Sequence, residues 1–337
     1  MFSFFNSNKM FFLFILFFST LISISSNSWF GCWVGLEINL LSFIPLINNS
    51  NNILTTEASL KYFLTQSIAS INLLFCIIFK MMLMKSLEMN NYIMIMINSS
   101  LLMKMGSAPF HFWFPNIIEG LSWFNSFLLM TWQKISPMIL LSYFYYNNFI
   151  IIIIIMNSII GAVGGFNQTS LRKLMAFSSI NNLGWMMSAL MISENLWMFY
   201  FIVYSFLIGI MCLLFSMINL FFINQLFFIN FNYMIKLLLF INFLSLGGLP
   251  PFIGFFSKWI IINFLMNNNL YMMTFTMIMM SLILLFFYIR ILYSSLMFNY
   301  LKLKWIKIKI KNNLFYMLTF FSIISFLGLI LSTFFFL

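Results

Sequence analysis

Eleven apolar runs, very few charges, and two runs broken by glycine and proline mark this sequence as an all-α polytopic membrane protein. Of its 337 residues, 63% are hydrophobic and 6% charged, whereas a soluble domain carries roughly a quarter charged residues. The unbroken runs are each about 20 residues, the length at which a helix crosses hydrocarbon. In the fourth and ninth, glycine and proline interrupt the run and a lysine stands beside the interruption. Such paired interruptions in the two halves of a chain point to a transporter built from repeats.

The expected spans are 9–26, 30–47, 57–80, 91–121 (broken), 123–145, 149–167, 171–190, 196–223, 234–266 (broken), 271–299 and 313–335. Residues 9–26, with one lysine, an apolar run and then small residues, could pass for a secretory signal. The ten spans that follow make it the first transmembrane helix instead. Asparagine clusters at 48–52, 147–148 and 267–269 mark loops, where side-chain amides meet water and compete with helix. In the fourth span, Gly106, Pro109 and Pro115 accompany Lys104 and the only histidine, His111. Proline lacks a backbone N–H and clashes with the preceding turn, so the helix should break near residues 106–109. Broken backbone at membrane depth survives only inside protein or around a wet cavity. The ninth span repeats the arrangement with Gly247, Gly248, Pro250, Pro251 and Lys258.

Taken five at a time, the spans give two units, 9–145 and 149–299, each broken in its fourth helix. Because five is odd, the second unit enters from the opposite face, which makes an inverted repeat with its working residues near the midplane. A basic loop at 300–312 and a peripheral helix at 313–335 complete a single membrane domain over 1–337. With the N-terminus inside, Lys9, Arg172, Lys173, Lys236, Lys302, Lys304, Lys307, Lys309 and Lys311 fall on the inner side. The outer loops then keep Lys80 and Lys85, with Glu88 and Glu194, in line with the positive-inside bias. Phe (48) and Met (29) are abundant. These and the plentiful Ile, Asn and Lys are residues of AT-rich codons, and they suggest an organellar gene, with the mitochondrial matrix as the inside.

Charges deep within spans are Glu37, Lys61, Lys104, Lys134, Lys258 and Arg290. Burial disfavours the charged form of each, while an opposite partner restores it. A lysine near a movable acid can therefore be switched between protonated and neutral, as a proton relay requires. Lys104, Lys134 and Lys258 sit too deep to reach water along their stems. Lys61, one turn into its span, could equally relay or snorkel, and Arg290 suits an inner-end anchor, since arginine barely deprotonates. His111 could carry a proton or bond a freed carbonyl. Residues 161–165 form a small-residue face for helix packing. The alternating lysines from 302 to 311 could lie on anionic headgroups, dock a partner, or only set topology. Three isolated cysteines argue against a metal, cluster or disulfide framework. The dispersed charge argues against nucleic acid, and a chain without aspartate has no Ser/His/Asp triad.

The motifs resemble a family. Trp33-Val34-Gly35-Leu36-Glu37-Ile38-Asn39, Glu57-Ala58-Ser59-Leu60-Lys61, Lys104-Met105-Gly106 with Phe110-His111-Phe112-Trp113, Trp132-Gln133-Lys134, and Leu171-Arg172-Lys173-Leu174-Met175 look like NADH-ubiquinone oxidoreductase chain 2. The resemblance extends to Leu249-Pro250-Pro251 with Lys258 and weakens after about Arg290. It implies an antiporter-like core subunit in the proton-pumping membrane arm of respiratory complex I, in the mitochondrial inner membrane. Its N-terminus would face the matrix and its C-terminus the intermembrane space. Other membrane-arm subunits would be its partners. NADH, FMN, iron–sulfur clusters and ubiquinone would be used by those partners and none bound here. Glu37 would pair with Lys104, Lys134 would pass protons between the halves, and Lys258 would lie toward the exit. Many relatives carry histidine where this chain has Asn182, which puts a proton-carrying role there in doubt. Two other functions fit the same features: a stand-alone cation/proton antiporter subunit, and a structural spacer that conducts no protons.

Overall fold

A computed structural model describes residues 7–49, 52–82, 90–230, 233–297, 303–307 and 312–328. They form two compact units, residues 1–153 and 154–337. The first contains α1 (Ser7–Ser25), α2 (Trp29–Ile47), α3 (Ile53–Met82), α4 (Asn90–Met105), α5 (Trp113–Gly120), α6 (Trp123–Met130) and α7 (Trp132–Tyr143). The boundary falls within α8 (Asn147–Gly165). The second unit continues with α9 (Leu171–Ile192), α10 (Glu194–Ile218), α11 (Ile223–Phe228), α12 (Tyr233–Gly247), α13 (Ile253–Asn267), α14 (Tyr271–Met297) and α15 (Asn312–Phe326). Among the described residues, six helices are long and apolar enough to cross a membrane: α1, α2, α3, α8, α10 and α14 over Tyr271–Tyr293.

The local chemistry of the chain sets these ends. Ser28 caps α2, its Oγ accepting from Gly31 N at 3.2 Å, and Ser193 caps α10 by accepting from Leu196 N at 3.3 Å. Each satisfies an amide that has no carbonyl one turn back. Within the helices, buried hydroxyls bond to their own chain. Ser19 donates to Leu16 O, Ser126 to Trp123 O and Ser188 to Trp185 O, each at 2.8 Å.

Two expectations are refined. The span expected at 123–145 is two helices, because Thr131 leaves the helical path at φ −116°, ψ −74°. Its Oγ1 donates back to Phe127 O at 2.7 Å, a bond that competes with the helical ladder and bends it. The fold is helical as expected, and the loop expected at 300–312 also carries a short strand. Ile229–Asn230 (β1) pairs in parallel with Leu303–Lys307 (β2). The alternation of lysine with apolar residues around 302–311 has the period of a strand. Most of the basic loop, including Lys302, Lys309 and Lys311, lies outside the described residues, as do Lys85, Glu88 and the end of the last expected span.

In the second unit α9 is the interior helix: its buried residues run almost without gap from Leu171 to Leu190 and include Ser178, Ser179, Asn181, Asn182 and Ser188. A helix with polar groups all round survives in a bundle only where other helices surround it. The small-residue face of α8 packs here, for a Cβ on Gly161 would stand 2.6 Å from Asn181 N.

Candidate proton-relay site

Both expected breaks occur where glycine and proline stand. In the first unit α4 stops at Met105 and the chain turns through Gly106 at φ 70°, a region that favours glycine because it has no Cβ. The Ala108–Pro109 peptide is cis, and α5 begins at Trp113. The carbonyls that α4 leaves open find donors within the unit. Leu102 O accepts from Ser107 N at 3.2 Å and from Ser107 Oγ at 3.1 Å. Met103 O accepts from Trp113 Nε1 at 3.2 Å, and Lys104 O accepts from Gln66 Nε2 at 3.1 Å. Neutral side chains thus close this helix end, and the Lys104 ammonium is not needed for it.

The Lys104 side chain instead enters a small cavity walled by Asn39, Tyr62, Gln66, Gln133 and Ser136. Gln133 Nε2 donates to Asn39 Oδ1 at 2.8 Å, tying α7 to α2. Glu37, one residue from that wall on α2, acts on Lys104 by its charge. Its buried Oε2 has no hydrogen-bond partner, and no salt bridge joins the two among the described residues. Lys134 follows Gln133 on α7, with its Nζ 5.2 Å from the centroid of the Phe114 ring. A ring face attracts a cation without neutralising it.

In the second unit α12 ends at Gly247, Gly248 turns at φ 82°, the Pro250–Pro251 peptide is cis, and α13 begins at Ile253. Here the lysine itself closes the helix end. Lys258 Nζ donates to Gly247 O at 3.0 Å and Leu246 O at 3.5 Å, and lies 5.9 Å from the Trp185 ring centroid. Asn182, Tyr200, Tyr204, Ser245 and Ser257 share its cavity, and Tyr200 donates to Asn182 Oδ1 at 2.9 Å. Lys104 and Lys258 are each 7% exposed and Lys134 1%.

The remaining predicted residues lie elsewhere. Lys61 is ion-paired with Glu57 one turn away on an exposed face of α3. His111 sits in the break with Nδ1 3.3 Å from Pro109 O and its ring against Phe112. Arg290 donates to Phe166 O at 2.7 Å, just past the end of α8. Sequence reasoning passed over Gln66, Tyr62, Tyr200 and Tyr204. The signal was present, since polar residues four apart in apolar helices share one face.

Two buried-lysine sites, each beside a broken helix, define an antiporter-like membrane subunit. Residues 26–284 match the family model for NADH:quinone oxidoreductase/Mrp antiporter transmembrane proteins. NADH-ubiquinone oxidoreductase chain 2 of Anopheles gambiae is 55% identical over 268 residues, spanning 78% of this chain and 79% of that one. The Locusta migratoria protein of the same name is 48% identical over 281 residues, 81% and 82% of the two chains. A chain in the structure of respiratory complex I from Thermus thermophilus with bound aureothin superimposes with a TM-score of 0.84. At 18% identity, over 97% of this chain and 79% of that one, this match shows the fold alone. The chain belongs to the NADH-ubiquinone oxidoreductase chain 2 family.

Proposed function

We propose that this protein is a core membrane subunit of proton-pumping NADH:ubiquinone oxidoreductase, and that Glu37, Lys104, Lys134 and Lys258 form its proton relay. It is a multi-pass protein of the mitochondrial inner membrane and part of an enzyme, with no redox catalysis of its own. NADH, FMN, iron–sulfur clusters and ubiquinone are handled by partner subunits of the same complex. In this reading eleven helices cross the bilayer, the N-terminus lies in the matrix and the C-terminus in the intermembrane space. The repeats 9–145 and 149–299 run in opposite senses, and the basic loop near 302–311 meets matrix-side partners or anionic lipid.

The observation that carries the relay is the burial of a lysine beside the break in each unit, with another, Lys134, in the first. An intramembrane cation is costly and marks an ion pathway when it cannot reach water. A proton arriving on Lys104 makes an ammonium that the Glu37 charge holds. When Glu37 shifts away the ammonium loses that support, the proton leaves toward Lys134, and charge passes on to Lys258. Lys61 and His111 stand outside this sequence as possible entry groups.

Lys134→Met tests the reading. The variant chain should still migrate with the NADH-oxidising band on a native gel of gently solubilised membranes, while protons pumped per electron fall. A normal ratio in the assembled variant would make the subunit a spacer that conducts nothing. A native chain that runs apart from that band would make it a separate antiporter subunit.

A further inference from the structure

The two broken helices end in different ways, and the difference assigns a role to one glycine. In the first unit, Gln66 and Trp113 take the last carbonyls of α4, and Lys104 is left to answer to Glu37. Among the described residues of the second unit no acid lines the Lys258 cavity. All five acidic residues of the chain are glutamates: positions 37, 57, 88 and 119 fall within residues 1–153, and Glu194 opens α10. What faces the Lys258 ammonium is the carbonyl end of α12, Leu246 O and Gly247 O. A helix C-terminus carries roughly half a negative charge, concentrated on those open carbonyls. A discontinuous helix can thus hold a cation at membrane depth without a carboxylate.

We infer that in the second unit the carbonyl end of α12 stands in for the missing acid as the counter-charge of Lys258, and that Gly248 is the positioning residue that keeps the ammonium on it. A Cβ at Gly248 would fall 2.9 Å from Lys258 Nζ, 3.1 Å from its Cδ and 3.3 Å from its Cε. The atoms it would strike are the mobile end of the lysine, so the side chain would be driven off the carbonyls while α12 and α13 kept their places. The glycine therefore has two functions. It permits φ 82°, as any break of this kind requires, and it leaves room for one particular ammonium. At Gly106 the corresponding Cβ would meet Phe114 instead, so the second function belongs to the second unit. In mechanistic terms, Lys104 is switched by moving an acid, and Lys258 by moving a helix end.

This rests on the relay reading of Lys258, and the test separates the two. Gly248→Ala, Lys258→Ala and the double variant are compared in inner-membrane vesicles carrying the assembled complex. The readout is protons pumped per electron, which damage that merely lowers the amount of complex does not change. Gly248→Ala is expected to lower the ratio to that of Lys258→Ala, with no further drop in the double variant. If Gly248→Ala pumps at the native ratio while Lys258→Ala does not, the positioning role falls and the relay stands. A native ratio in Lys258→Ala removes both. Should Gly248→Ala fail to assemble, assembly of the double variant identifies the collision with the lysine as the cause and supports the role. Failure of both single and double variants leaves backbone strain as the whole effect and overturns it.

Discussion

Gln66 is the residue whose contribution is simplest to weigh. Its Nε2 closes Lys104 O across 38 positions of sequence, where the helical donor is lost to the break. Gln66→Leu keeps the volume and removes the donor, leaving a carbonyl with no water to turn to. Such an orphaned group costs about 1–3 kcal/mol. The assembled variant should therefore unfold at a lower temperature in a thermal-shift measurement on the solubilised complex, and an unchanged midpoint would show that another donor reaches Lys104 O. Residue type announced the lysines, since a charge within an apolar run is conspicuous. It did not announce Gln66 or Trp113, because a glutamine or an indole in a membrane helix has many possible partners and only the folded chain chooses among them.

At the scale of elements, the contact between α8 and α9 is set by glycine. Gly161 lies so close to Asn181 that an added Cβ would stand 2.6 Å from a backbone nitrogen, an atom that cannot swing aside. Gly161→Val should force the helices apart at a cost of about 1–3 kcal/mol, seen as less assembled complex at equal synthesis. Normal assembly would mean that the contact yields more easily than its geometry implies. The two breaks were legible because glycine and proline act on the backbone directly, whatever surrounds them. The bend at Thr131 was not, since threonine sits comfortably in many straight helices and bends this one through a hydroxyl bond to Phe127 O. The pairing of β1 with β2 joins residues far apart in the chain, and a local pattern carries no record of its partner.

At the scale of the whole molecule, the proposed orientation rests on where cations lie. Lysines at 302, 304, 307, 309 and 311 should face the matrix, the side on which the positive-inside bias retains them. Trypsin should cut there in inverted inner-membrane vesicles and leave the loop whole in mitoplasts, read as loss of a small C-terminal fragment by mass spectrometry. Cutting in mitoplasts alone would turn the molecule over. Composition was sufficient to place the protein in a bilayer, because 6% charge leaves too little polar surface for a water-facing shell.

Serine hydroxyls that bond within their own helix have a consequence for how the protein is made. Ser19, Ser126 and Ser188 each carry their acceptor three residues away on the same segment, so a span leaving the ribosome can enter lipid with those groups already quiet. Gln66, Gln133 and Asn125 cannot, for their acceptors lie on other segments: Lys104 O, Asn39 Oδ1 and Leu46 O. Biogenesis thus divides in two, an insertion in which each segment is self-sufficient and a later gathering in which these few side chains find their mates. The broken segments are the last to be at rest, and an insertase that holds them until their neighbours arrive would shelter the same backbone that the finished protein uses.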